Sequence, residues 1–113
     1  MKMKAKIGST KYPIEFVEEI LDPDGRKMDG EGCESGGYIK VGKGSCLERQ
    51  REVVLHEVIH LIADHTGNGD LKEEIIEALS YGIFDFIREN PDIVKYIQGE
   101  LEDRMIGENG NPF

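Results

Sequence analysis

Two histidines and a glutamate lie within five residues of each other in a strongly apolar stretch of the chain. The stretch runs Val53-Val54-Leu55-His56-Glu57-Val58-Ile59-His60-Leu61-Ile62-Ala63, and eight of its eleven residues are aliphatic. In a helix, His56 and His60 lie about 40° apart around the axis and about 6 Å apart along it. Imidazoles at this spacing can bind the same Zn²⁺, with Zn–N bonds of about 2.0–2.1 Å. The pattern therefore predicts a zinc site on this helix.

Glu57 lies beside the histidine face, because it is about 100° around the helix from His56. A carboxylate in this place can take a proton from a water molecule at the metal, so we expect Glu57 to be the catalytic base of a hydrolase. A helix that is apolar on nearly every side is buried, and an unpaired polar group in it costs roughly 2–7 kcal/mol. The apolar setting therefore favours a metal site over a chance match to a three-residue pattern.

A third metal ligand is expected, since catalytic zinc sites usually have three protein ligands and an open fourth position. The next predicted helix has an apolar stripe of Ile76, Leu79, Ile83 and Ile87, with Phe84 and Phe86 on its borders. Glu77 lies at the margin of this stripe, and Glu73 lies between Phe84 and Ile76. We predict Glu77 as the third ligand and keep Glu73 as the alternative.

Two further residues are weaker candidates for the site. His65 lies about 140° around the helix from His60, so it can turn toward the metal only if the helix ends near residue 63. It also falls one residue short of the third histidine of the metzincin pattern, and the helix dipole alone favours a histidine at a helix C-terminus. Tyr81 lies one turn beyond Glu77, where a phenol could donate a hydrogen bond to an oxyanion, although a structural role is the simpler interpretation.

The residues before the metal helix predict a small antiparallel sheet. Residues 3–7 and 12–18 alternate apolar with polar side chains, and residues 8–11 have turn chemistry, so together they predict a β-hairpin. Residues 38–41 predict a third strand, which could pair with an extended peptide if it forms an exposed edge at the rim of the site. Residues 22–37 are rich in glycine and acidic residues and predict a loop.

Three helices are predicted to follow, over residues 46–64, 71–89 and 91–103. Ser45 and Glu48 have the spacing of a capping box at the start of the first helix. Asp70 is a candidate cap for the second helix, and Asn90-Pro91 places a proline at the first position of the third.

These elements predict one α+β domain over residues 1–106, followed by a disordered tail at residues 107–113. The expected architecture is a three-stranded antiparallel sheet packed on two core helices, with a C-terminal helix.

Composition restricts the classes of partner. The chain has 14 basic and 23 acidic residues and a net charge of −9, which argues against binding to nucleic acid or to an anionic membrane. No apolar run resembles a signal-peptide core or a membrane span, so we expect a cytoplasmic protein with Cys33 and Cys46 as reduced, incidental thiols. A protein or peptide partner fits best, and the oligomeric state stays open.

The motifs resemble those of a known family. Leu-His-Glu-Val-Ile-His at 55–60 and Ile-Glu-Ala-Leu-Ser-Tyr-Gly-Ile-Phe at 76–84 are similar to motifs of the zincin-like ImmA/IrrE metallopeptidases. Within that family the chain resembles short stand-alone versions encoded by phages and prophages of Gram-positive bacteria. The resemblance covers about residues 38–90. It implies His56 and His60 as zinc ligands, Glu57 as the catalytic glutamate, and Glu77 as the third ligand.

The resemblance also implies a class of substrate. Larger members of the family cleave transcriptional repressors, so a gluzincin-type endopeptidase acting on a phage or host regulatory protein in a bacterial cytoplasm is expected. The family's Leu-Met-Pro ending of the second motif is absent here, with Phe84 and its neighbours in its place. The alternative is a zincin-fold binding or regulatory protein with structural zinc or none. A fourth protein ligand from His65, Cys33 or Cys46 would favour structural zinc.

Overall fold

The structure is a computed structural model and describes residues 2–100 of the 113-residue chain. Six strands precede three helices: β1 Lys4–Ile7, β2 Thr10–Val17, β3 Ile20–Leu21, β4 Lys27–Met28, β5 Gly30–Cys33, β6 Tyr38–Gly42, α1 Leu47–His65, α2 Glu73–Glu89 and α3 Pro91–Ile97. The predicted α+β class is confirmed. Within residues 2–100, no helix has both the length and the apolarity needed to cross a membrane. The tail predicted at residues 107–113 lies outside the described residues.

Four strands form a mixed sheet in the order β1-β2-β6-β5. β1 and β2 are the predicted hairpin, closed by a shorter turn than expected, in which Gly8 has a φ of 61° that glycine adopts without steric cost. β2 and β6 run parallel, with Ile14 opposite Ile39, and β5 runs antiparallel to β6. The prediction of a three-stranded antiparallel sheet is therefore wrong.

The strand missing from that prediction is β5, which lies in the segment predicted as a loop. Its sequence, Gly-Glu-Gly-Cys, has none of the apolar alternation that marks a strand. The glycines replace larger side chains here because the strand packs closely on α1. A Cβ at Gly30 would collide with Val53 of α1, and one at Gly32 would lie 3.4 Å from Leu61 Cγ. The same segment also contributes β4, which pairs with β3 in a separate two-stranded sheet.

β5 rather than β6 forms the edge of the sheet on this side. β6 lies inside, between β2 and β5, so residues 38–41 have no free edge to offer a peptide. Among residues 2–100, the edge next to α1 that no further strand covers therefore belongs to residues 30–33.

The main core lies between the four-stranded sheet and α1. Its buried members are Ile7, Tyr12, Ile39, Val41, Val53 and Leu61. Full burial of a valine, leucine or isoleucine side chain stabilises a fold by roughly 1.5–3 kcal/mol. A second cluster of Ile59, Ala63 and Ile76 packs the start of α2 on α1. The two clusters fix the rotation of α1 about its axis, and so the direction in which its histidines point.

The helix ends differ from the predicted ends in three places. Cys46 is the N-cap of α1 and makes no side-chain cap hydrogen bond, while the Ser45 hydroxyl lies 3.5 Å from Asp29, so the predicted capping box is wrong. α2 begins at Glu73, two residues later than predicted. α3 ends at Ile97 instead of residue 103, because Gly99 takes a left-handed φ of 81° that ends the helix.

Two compact units divide the chain inside α2, after Tyr81. The first unit contains both sheets, α1 and the start of α2, and it holds every candidate site residue. The second contains the rest of α2 and α3. The predicted single domain extends to residue 106, beyond the described residues, and stays a prediction.

Candidate metal centre

One face of α1 lines a cavity of about 470 Å³. This face carries Arg49, Val53, His56, His60 and Asp64, which follow one another at spacings of three or four residues. Residues 28–32 form the opposite wall, and Glu73 and Glu77 of α2 also line the cavity. Three separate segments of the first unit thus meet at the predicted histidine pair.

The histidine pair and Glu73 form a compact group. The Nε2 atoms of His56 and His60 are 3.2 Å apart. One carboxylate oxygen of Glu73 lies 2.8 Å from His56 Nε2, and the other lies 2.9 Å from His60 Nε2. All the potential ligand atoms lie within 4.8 Å of one another.

This arrangement fits a small divalent cation. Two nitrogens bound about 2.0–2.1 Å from one tetrahedral ion stand about 3.3–3.4 Å apart, close to the 3.2 Å between the histidine nitrogens. Two imidazoles and a carboxylate are also the donor set typical of catalytic zinc. The His60 side chain is 34% exposed and the Glu73 side chain 56%, so the group is open to the cavity on one side. His56, His60 and Glu73 could therefore hold a metal that remains accessible to a substrate.

Glu73, the alternative third ligand, lies at the histidine pair, whereas the favoured Glu77 does not join the group. Glu77 is exposed and lines the same cavity. The buried residues of α2 are Ile76 and Ser80, while Leu79 of the predicted apolar stripe is 45% exposed. The face of α2 that meets α1 is therefore rotated from the predicted one, and Glu73 lies about 20° from Ser80 around the helix. Ligation by Glu77 stays a prediction.

Glu57 is half-buried on the cavity wall, beside the group. Its carboxylate lies opposite Gly32, where an added Cβ would lie 3.4 Å from Glu57 Oε1. Burial raises the pKa of Glu57 above its ordinary value, and this effect outweighs the lowering by His56, by His60 and by a hydrogen bond from the Gly32 backbone N–H. A carboxyl with a raised pKa is the better proton acceptor, as a general base requires.

The backbone of β5 presents hydrogen-bonding groups to the cavity. Gly42 N–H donates to the Asp29 carbonyl at 2.8 Å, directly before the strand. Alternate residues of an antiparallel strand direct their backbone groups to opposite sides, so Glu31 faces β6, while Gly30 and Gly32 face the open edge. The hydrogen bond from Gly32 N–H to Glu57 agrees with this assignment.

Ser80 is a site residue that the sequence reasoning missed. Its side chain is 2% exposed, and its Oγ lies 3.3 Å from His56 Nδ1. The only sequence signal for it is its place seven residues after Glu73, on the same face of α2. The glycines of β5 were missed as well, and their spacing of two was the signal.

The weaker candidates lie apart from the group. The imidazole of His65 is exposed at the end of α1 and lies against Gly8 of the hairpin turn. Tyr81 is 49% exposed and does not line the cavity. Neither Cys33 nor the exposed Cys46 lines it. No fourth ligand joins the three-residue group within residues 2–100.

Charge in the cavity is mainly negative. Its lining includes the carboxylates of Asp29, Glu31, Glu57, Asp64, Glu73 and Glu77. Arg49 is the single basic side chain of the Lys or Arg type among the described residues of this lining. It is paired with Asp29 at 2.9 Å and with Glu52. A cationic ligand is therefore favoured in this cavity over an anionic one.

Comparison with protein-family models, with curated proteins and with solved structures gave no match for this chain.

Proposed function

We propose that this chain is a zinc-dependent endopeptidase with a minimal zincin-like domain. The observation that carries the proposal is the convergence of His56, His60 and Glu73 beside the half-buried Glu57. The motif resemblance to the ImmA/IrrE metallopeptidases supports the same reaction. On this proposal the substrate is a protein or peptide, such as a phage or host regulatory protein in a bacterial cytoplasm.

His56, His60 and Glu73 would hold the zinc ion. When bound there, Zn²⁺ supplies a Lewis acid that polarises a peptide carbonyl and lowers the pKa of water. Glu57 takes a proton from the attacking water and then delivers it to the leaving amine. The Gly32 backbone N–H, which faces the Glu57 carboxylate, favours its ionised form and so its readiness to take the first proton.

The open edge of β5 would orient the substrate. An extended peptide can add to such an edge through main-chain hydrogen bonds, and the backbone groups of Gly30 and the carbonyl of Gly32 face it. A peptide in this position lies along the cavity wall that faces His56 and His60.

The second candidate is a binding or regulatory protein in which zinc is structural or absent. Structural zinc sites usually have four protein ligands and no open position. The three-residue group among residues 2–100 and the exposure of its His60 and Glu73 side chains favour the catalytic proposal.

The first experiment is elemental analysis of purified wild-type protein and of His56→Ala. We expect one zinc per chain in the wild type and none in the variant, because His56 contacts both His60 and Glu73. His65→Ala is the matched control, since its imidazole lies at the hairpin turn, and it should keep the zinc.

Peptide cleavage is then measured on the zinc-loaded protein, with a chelator as the negative control. Hydrolysis that stops with chelator and returns with added zinc supports the enzyme. Wild-type protein that takes up no zinc after re-addition would contradict the proposal and leave a metal-free binding protein as the better account.

A further inference from the structure

Ser80 carries a buried hydroxyl next to the proposed metal site. Its side chain is 2% exposed, so each of its hydrogen bonds must be made within the protein. The Oγ atom has two such partners, the Glu77 carbonyl at 2.9 Å and His56 Nδ1 at 3.3 Å. Ser80 thus contacts the imidazole at the nitrogen opposite the one that faces Glu73.

With a metal ion on His56 Nε2 in place of a hydrogen, the protons at the other atoms can be assigned by counting. A serine hydroxyl has one hydrogen to donate and lone pairs to accept with. The Ser80 hydrogen goes to the Glu77 carbonyl, which can only accept. The remaining contact is therefore satisfied when Ser80 Oγ accepts a hydrogen bond from His56 Nδ1–H. A neutral imidazole with its hydrogen on Nδ1 has its lone pair on Nε2.

We propose that Ser80 is a positioning residue, which holds His56 in the Nδ1–H tautomer and directs its Nε2 lone pair at the metal position. This inference rests on the proposed zinc site. Outer hydrogen-bond partners of metal-binding histidines fix both the tautomer and the orientation of the ring. The hydroxyl also links the two helices of the site, since Ser80 and Glu73 lie on one face of α2 and contact opposite ends of the same α1 side chain.

Zinc affinity of the full-length chain, measured by competition with a chromogenic chelator, tests the proposal. We expect Ser80→Ala to weaken zinc binding by about 10–100-fold. Ser80→Thr retains a hydroxyl on Cβ, so it should restore most of the affinity. Ser9→Ala, in the exposed hairpin turn, is the matched control and should bind zinc like the wild type.

A spectroscopic measurement separates positioning from a general structural role. Long-range ¹H–¹⁵N NMR spectra report which imidazole nitrogen carries the hydrogen, and the chain has only three histidines to assign. In the zinc-loaded wild type, His56 should show a protonated Nδ1 and an unprotonated Nε2. This measurement needs no variant, so it stays informative even if Ser80→Ala folds poorly.

The outcomes distinguish this inference from the proposed function. Wild-type protein that binds zinc, with Ser80→Ala binding as tightly, would overturn the role of Ser80 alone. A hydrogen on Nε2 of His56 in the zinc-loaded protein would do the same. Wild-type protein that binds no zinc would overturn both the inference and the proposed function.

Discussion

Gly32 of β5 faces the carboxylate of Glu57 on α1, and its backbone N–H lowers the pKa of that carboxyl. This contact joins the open edge of the sheet to the proposed catalytic base. It requires the strand and the helix to approach closely, and an added Cβ at Gly32 would lie 3.4 Å from Glu57 Oε1. The backbone of β5 therefore forms part of the surroundings that set the proton affinity of the proposed base.

Glu57→Gln should keep the zinc and lose hydrolysis. Glutamine has nearly the same shape and can still accept the Gly32 hydrogen bond, but it cannot take a proton from water. We expect turnover to fall by about 10²–10⁴-fold, the usual contribution of general acid–base catalysis. Zinc content and peptide cleavage are measured on the same sample. Turnover close to wild type would rule out this mechanism, and loss of zinc would indicate a structural role for Glu57.

The free energies of unfolding of wild type and of Glu57→Gln should depend differently on pH in the metal-free protein. The pKa of Glu57 is raised on folding from an ordinary value of 4.5, chiefly by burial. Between that value and the folded pKa, the folded state binds more protons than the unfolded state, so wild-type stability falls as pH rises. Glu57→Gln does not lose stability in this way, because glutamine does not titrate. The variant should therefore gain stability relative to wild type as the pH increases through that window and level off above it.

Urea unfolding at a series of pH values, in the presence of chelator, measures this difference. The other titrating groups are common to both proteins, so subtraction leaves the titration of Glu57 and its coupling to His56, His60 and Glu73. A difference in free energy of unfolding that stays constant or shrinks with rising pH would contradict the raised pKa.

Glu73→Gln and Glu77→Gln form a matched pair that identifies the third ligand. Both side chains line the cavity, one helical turn apart on α2, and only Glu73 contacts the two histidines. We expect Glu73→Gln to weaken zinc binding by more than the roughly 10–100-fold typical of an outer hydrogen-bond partner. Glu77→Gln should retain wild-type affinity. The reverse result would assign the ligand to Glu77, as the family resemblance implies.

Gly30→Ala should destabilise the fold, because its Cβ would collide with Val53 in the core. Overpacking of this kind typically costs about 1–3 kcal/mol. Gly44→Ala is the control, since a Cβ there meets no atom within 4 Å, and its effect should stay below about 1 kcal/mol. Equal free energies of unfolding for the two variants would show that β5 does not approach α1 as closely as described.

Substrates with lysine or arginine near the cleaved bond should be preferred. Six carboxylates line the cavity, and Arg49 is already paired with Asp29. We expect kcat/KM for a basic peptide to exceed that for a matched acidic peptide by roughly tenfold or more at low ionic strength, with the ratio falling as salt is added. Asp64→Asn should reduce the preference. Equal cleavage of both peptides would exclude charge as a determinant of specificity.

The sequence predicted some elements well because their signals are local. α1 was placed within one residue at each end, since a long apolar run around His56 and His60 favours a helix packed on the core. β5 was missed because the close approach of α1 leaves no room for a Cβ at Gly30, and glycine at two of its four positions erases the strand pattern.

The sequence could not identify the third zinc ligand for a different reason. Glu73 and Glu77 lie about 40° apart around α2, so the choice between them depends on which face of α2 meets α1. That face is set by the burial of Ile76 and Ser80 against residues distant in sequence. Ser80 itself has no sequence pattern, because a serine in a helix has no distinctive spacing until its partner is known.

The open edge of β5 has a consequence for self-association. A free strand edge can template pairing with another copy of the same chain, and natural proteins oppose this with charged residues at the edge. Here Asp29 precedes the strand, Glu31 lies within it and Glu57 of α1 faces Gly32, and the chain as a whole carries a net charge of −9. Two copies brought edge to edge would place these carboxylates against each other. The acidic residues that favour a basic peptide should therefore also oppose pairing of this strand edge with a second copy of the chain.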